Sequence, residues 1–99
     1  MKKYKIIIQP EAKLDFEMAL DYYKTVANSK VANNLNLEIK DAIKTLKSNP
    51  YYELRNNNYR AINLKKFPYL LFYQIVEQSN TIFILALFQA NQDIEKYPK

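Results

Sequence analysis

Both arginines of this chain, Arg55 and Arg60, fall in one stretch with Lys65 and Lys66, and no acidic residue between Arg55 and Val76 offsets these four charges. Tyr59, Phe67, Tyr69 and Tyr73 are interleaved with them. A guanidinium is a planar, two-pronged donor suited to phosphate or carboxylate, and aromatic rings offer stacking surfaces, so the combination has the chemistry of a nucleic-acid or acidic-peptide site. The plain alternative is a solvated sheet edge blunted by lysine.

The residue types that are missing narrow the chemistry further. The 99 residues include Gly 0, Cys 0, His 0 and Trp 0. Without cysteine and histidine there is no disulfide framework, no thiolate zinc site and no Ser-His-Asp or Cys-His nucleophile. Without glycine the phosphate-cradling loop and the dinucleotide fingerprint are both excluded, because each needs backbone positions that only glycine satisfies. No cofactor and no metal are expected, and catalysis, if any, must use Lys, Arg, Tyr, Asp or Glu. The net charge of +5 favours an acidic partner. The longest apolar runs, Phe67 to Tyr73 and Ile82 to Phe88, are far short of a membrane span, and Met1-Lys2-Lys3 is followed by too few apolar residues for a signal peptide. The expected location is cytoplasmic, with no membrane partner.

Behind these residues stands a regular order of elements. Tyr4 to Ile8 is β-branched and aromatic and stops at Gln9-Pro10, which predicts a short strand. Pro10 suits the first position of a helix and Glu11 its positive end, and Ala12, Phe16, Ala19, Leu20, Tyr23 and Ala27 form a helical stripe that Leu14 and Met18 widen. The first helix is expected over about 10–27. Ser29 is the expected N-cap of a second helix, whose stripe of Ala32, Leu35, Ile39, Ala42, Ile43 and Leu46 ends at Ser48-Asn49-Pro50. Leu37 falls off this stripe. The two helices should pack as an antiparallel hairpin.

Pro50 to Asn58 reads as a loop, followed by strand-like runs at Tyr59 to Leu64, Tyr69 to Val76 and Thr81 to Phe88. The four-residue connections Lys65 to Pro68 and Glu77 to Asn80 are of hairpin length, and Asn80 can take a left-handed conformation in the absence of glycine. These runs should form an antiparallel meander. The order β-α-α-β-β-β predicts one α+β domain over residues 1–99, a helical hairpin packed on a small, mainly antiparallel sheet.

Strand parity assigns faces. Arg60, Ile62 and Leu64 share one face, as do Tyr69, Leu71, Tyr73 and Ile75. If that face meets the hairpin, Arg60 begins the core at its rim, where it caps helix carbonyls or pairs with a carboxylate, or else binds phosphate; the tyrosines there are expected to be core residues with satisfied hydroxyls. Asp15, Glu17 and Asp21 on the first helix read as a solvated face with intrahelical pairs rather than an acid/base dyad.

The layout of Tyr4-Lys5-Ile6-Ile7-Ile8, Pro10-Glu11-Ala12, Leu14-Asp15-Phe16, Asp21-Tyr22-Tyr23, Leu46, Asn49-Pro50, Tyr59-Arg60 and Phe67-Pro68-Tyr69-Leu70-Leu71-Phe72-Tyr73 resembles the RelE/ParE superfamily of bacterial type II toxins, in its ParE-like, plasmid-stabilisation branch. The resemblance implies a small basic toxin neutralised by a cognate antitoxin. In the ParE-like branch it implies a protein that acts by binding and inhibits DNA gyrase, with Arg55, Arg60, Lys65, Lys66, Tyr69, Tyr73 and Gln89 as binding residues. In the RelE-like branch it implies a ribosome-dependent mRNA endonuclease, with Arg60, Lys65 and Tyr73 as catalytic candidates. The C-terminal part departs from both patterns. Gln89 stands where ParE-like proteins commonly carry a histidine, and Gln92 or Asp93 where they carry an arginine, which also admits an attenuated member that only binds antitoxin.

Overall fold

The structure, a computed structural model, describes residues 4–52 and 59–90. Strand β1 (Lys5–Ile8) leads into helix α1 (Pro10–Val26) and helix α2 (Ser29–Ser48), followed by β2 (Arg60–Asn63), β3 (Tyr69–Val76) and β4 (Thr81–Gln89). A single 3-10 turn, Glu77–Ser79, joins the last two strands. Each element lies within a residue or two of its sequence expectation. The cap of α2 differs: Asn28, not Ser29, takes the extended conformation, and its side-chain oxygen accepts the Val31 N–H at 2.9 Å. Ser29 is already the first helical residue, since the Asn28 amide oxygen, one position earlier, reaches the orphan donor. Asn80 closes the β3–β4 turn at φ 50°, ψ 45°, as expected of asparagine in a chain without glycine.

The sheet order is β1-β4-β3-β2. β2, β3 and β4 form the antiparallel meander, and β1 joins the outer side of β4 in parallel, so the sheet is mixed. The helical hairpin covers one face. Its buried residues, Leu35, Ile39 and Leu46 among them, meet Tyr69, Leu71, Tyr73, Ile82, Ile84 and Leu87 of the sheet. The opposite face buries a second cluster of Tyr59, Ala61, Leu70, Phe72 and Ala86, in which Phe72 makes edge-on contacts with Tyr59 and Phe88. The apolar character of β3 on both sides thus reflects two buried faces.

Two findings depart from simple periodicity. Leu14 and Met18 do not widen the buried stripe of α1 but stand exposed. In β4, Phe72 pairs with Ala86 while Tyr73 pairs with Ile84, so Leu85 is an extra residue, a bulge. The bulge shifts parity. Ile82 and Ile84 face the helices before it, and Leu87 does so after it.

Candidate functional site

Arg60 and Tyr73 are directly paired across β2 and β3, and both turn toward the segment that follows α2. The Tyr73 hydroxyl, on a fully buried side chain, donates to the Pro50 carbonyl at 2.5 Å and accepts from the Tyr52 N–H at 3.2 Å. Burial pushes its pKa up to about 12, against the Tyr52 hydrogen bond and the Arg60 charge, which both pull it down. The Arg60 guanidinium donates to the Tyr52 carbonyl at 2.7 Å and lies over the Tyr51 ring, 5.4 Å from its centroid. Of the roles open to Arg60 in the sequence, carbonyl capping is the one seen, although the carbonyl belongs to the segment after α2 and not to a helix end.

The same segment is held from the other side. The Tyr4 and Tyr51 hydroxyls lie 2.9 Å apart and at 3.1 Å and 2.9 Å from the two Glu77 carboxylate oxygens, a hydrogen-bonded triangle in which each hydroxyl has one proton to donate. The hydrogen bond to Tyr51, and after it burial and the Glu77 charge, raise the pKa of Tyr4. Residues 50–52 are therefore clamped by Tyr4 just before β1, by β2 and β3, and by the turn before β4. Tyr4, Tyr51 and Glu77 were not singled out by the sequence, because nothing in their spacing joins residues so far apart along the chain.

Lys65 and Lys66 occupy the β2–β3 turn and are exposed. The Lys66 backbone N–H donates to the Glu38 carboxylate of α2 at 2.7 Å, and Lys65 lines a groove with Glu38 and Asp41. Tyr69 and Gln89 pair across β3 and β4 at the far end of β3 from Arg60. Tyr69 is buried against Tyr23, their ring centroids 6.4 Å apart. Gln89 borders an open groove between α1 and β4 together with Asp15, Met18, Tyr22 and Phe88. The sequence-derived residues thus form two groups, Arg60 with Tyr73 and Tyr69 with Gln89, the lysines lying in the turn between β2 and β3. Four residues of strand separate Tyr69 from Tyr73, about 13 Å. Arg55, Gln92 and Asp93 lie outside the described residues.

Asp15 was expected on a solvated face, and its position is different. Its carboxylate accepts the Leu87 N–H of β4 at 3.0 Å. β1 ends opposite Ile84, so beyond the bulge no strand among the described residues lies beside the outer edge of β4, and Asp15 takes a donor that a longer β1 would have taken. Burial raises the Asp15 pKa, and the Glu11 charge raises it further, while the Leu87 hydrogen bond pulls it down. A signal existed: Asp15 follows Ala12 by three residues and precedes Ala19 by four, both buried, which puts it at the margin of the core stripe. Among the described residues no cluster of acidic side chains is arranged to hold a metal ion, and no helix is long and apolar enough to cross a membrane.

A helical hairpin laid on a four-stranded mixed sheet of this order defines the RelE/ParE toxin fold. The fold matches a structure of the chromosomal ParDE toxin-antitoxin system from P. aeruginosa at TM-score 0.78, with 16% identity over 92% of this chain and 100% of that one. It also matches the isolated E. coli RelE toxin at TM-score 0.63 (18% identity, 93% of this chain and 89% of that one) and the RelBE2 toxin-antitoxin complex from Mycobacterium tuberculosis at 0.59 (16%, 88% and 98%). No curated protein sequence matches the chain. The family model of the ParE toxin of the type II toxin-antitoxin system parDE matches residues 6–94, and the chain belongs to that family.

Proposed function

We propose that this type II toxin acts by binding and not by cutting RNA, that its target is DNA gyrase, and that a cognate antitoxin neutralises it. The observation that carries the binding mode is the engagement of the Tyr73 hydroxyl. As donor it serves Pro50 and as acceptor it serves Tyr52. A general acid must have a proton free to give at the reacting atom, with a pKa near the working pH. A buried hydroxyl pushed up to about 12 and already donating to a backbone carbonyl is far from that condition. Arg60, the other half of the RelE-like candidate pair, is held by the Tyr52 carbonyl and the Tyr51 ring. Lys65, exposed in the β2–β3 turn, lines a groove with the carboxylates Glu38 and Asp41 and supplies charge there. The family assignment supports the gyrase target, and the antitoxin partner is supported by the toxin-antitoxin complexes among the structural matches.

In this reading the exposed Lys65 and Lys66 and the half-buried Gln89 are contact residues, whereas Arg60, Tyr69 and Tyr73 hold the surface that presents them. Induced expression in bacteria tests it. Growth should arrest with DNA damage and filamentation while mRNA stays intact. Prompt, codon-patterned mRNA cleavage would overturn the reading in favour of the RelE-like endonuclease, and absence of any arrest would point to a member that only binds antitoxin.

A further inference from the structure

Helix α2 carries four lysines, and all of them stand on the side that faces away from the core. Lys30, Asn33, Leu37, Lys40, Lys44 and Lys47 recur at steps of three and four residues and are exposed, whereas Leu35, Ile39 and Leu46 take the opposite, buried side. The row is about 26 Å long. Its first turn, where acidic residues ordinarily complement the positive end of a helix, holds Lys30 and no acid.

Carboxylates are kept off this row. The two on α2, Glu38 and Asp41, lie on the flank toward β2, where they line a groove with Ile62 and Lys65 and where Glu38 accepts the Lys66 N–H. On the other flank α1 is balanced: Lys13 and Lys24 each have a carboxylate about one turn away, Glu17 and Asp21. The excess charge of the hairpin therefore belongs to the α2 row. Lys40 with Lys44 and Lys44 with Lys47 are like charges one turn apart, an arrangement that weakens the helix carrying it. The fold gains nothing from this repulsion, and an external polyanion would relieve it.

We infer that the outward row of α2 lies along the phosphate backbone of a DNA duplex and binds it without reading its sequence. Ammonium groups, with an asparagine amide beside them, are donors of the kind that such contacts use, and a basic stripe along a helix is their electrostatic footprint. The row holds no arginine fork for base edges and no aromatic ring on which an unpaired base could stack, so a single strand fits it less well than a duplex. An acidic peptide needs apolar seats as well as charge, and Leu37 is the one apolar residue of the row. An anionic membrane needs apolar residues to insert, and the apolar stripe of α2 is buried in the core. The phosphate contact uses none of the residues assigned to the protein target; the choice of DNA over RNA rests on the gyrase reading.

Fluorescence anisotropy of a labelled, mixed-sequence DNA duplex titrated with the full-length chain, without gyrase, tests it. Four lysine contacts predict an affinity that falls about a hundredfold between roughly 50 and 200 mM salt, alike for unrelated sequences. Lys44→Gln should lower the slope of log affinity against log salt by about one, and the triple variant Lys40→Gln, Lys44→Gln, Lys47→Gln should lose about tenfold or more in affinity at low salt. Lys5→Gln should alter neither, since alternation along β1 sets Lys5 on the sheet face away from the helices. All of these positions are exposed, and thermal melts like that of the wild type would show that the variants still fold. Absence of binding at low salt, an affinity indifferent to salt, or an equal loss on Lys5→Gln would overturn the inference. So would tighter binding to an RNA duplex of the same length, to a polyglutamate peptide or to phosphatidylserine vesicles. Because gyrase is left out, such a failure is distinct from failure of the gyrase reading, which supercoiling decides.

Discussion

Removing one oxygen separates a structural role of Tyr73 from a chemical one. Tyr73→Phe keeps the buried ring and deletes only the hydroxyl, leaving the Pro50 carbonyl and the Tyr52 N–H without the partner they have in the native fold. An unsatisfied buried backbone group costs about 1–3 kcal/mol. Tyr52 is only half-buried, so water recovers part of its share. The expected total is about 2–3 kcal/mol, a large part of the roughly 5–15 kcal/mol that holds a domain of this size together. For a chain of this length the melting temperature should fall by roughly 10–20 °C. Urea unfolding followed by far-ultraviolet circular dichroism measures the difference, and an unchanged m-value would show that the same surface is exposed. Arg60→Ala should destabilise the same segment, and the double variant should lose less than the sum, because both residues hold residues 50–52. A Tyr73→Phe protein within about 0.5 kcal/mol of the wild type that has nonetheless lost toxicity would refute this reasoning and assign the hydroxyl to chemistry.

Burial raises the Asp15 carboxyl above its ordinary value of 3.8, so the native state holds that proton more tightly than the unfolded chain does. This contribution to stability is present at low pH and is lost as pH rises through the window from 3.8 to the raised native value. Asp15→Asn keeps an oxygen for the Leu87 N–H and removes the titration. Its stability relative to wild type should rise with pH across that window, and chemical denaturation at several pH values would show the reverse if the reasoning is wrong. At the start of α2, Asn28→Ala should cost about 1 kcal/mol, measured by thermal melting, whereas Ser29→Ala should change little. Tyr51→Phe removes the hydroxyl contacts with Tyr4 and with Glu77, and ultraviolet titration of the tyrosines should then show Tyr4 ionising at lower pH than in the wild type.

Much of the architecture is legible in the sequence because it depends on local signals. Pro10, the three- and four-residue spacing of Ala32 to Leu46 and the turn residues at Asn80 each act over a few positions, and the elements they define are present. What is not legible depends on meetings between distant segments. The parallel pairing of β1 with β4 joins the first element to the last, and no local pattern encodes it. The bulge at Leu85 is invisible in an unbroken apolar run, yet it decides that Leu87 and not Ala86 faces the helices. The candidate site shows the same division. The placement of Arg60 and Tyr73 on the helix-facing side follows from parity, but their pairing across β2 and β3, the segment they hold, and the Tyr4, Tyr51 and Glu77 contacts behind it arise only on folding. Leu14 and Met18 show the limit of periodicity itself, since apolar positions beside a core stripe can equally face outward.

The central claim, a toxin that binds and does not cut, is tested most directly with the purified chain, DNA gyrase and translating ribosomes in parallel. Inhibition of supercoiling should rise with toxin concentration, while mRNA stays intact on ribosomes that carry the same amount of toxin. Cleaved mRNA with unimpaired supercoiling would contradict it.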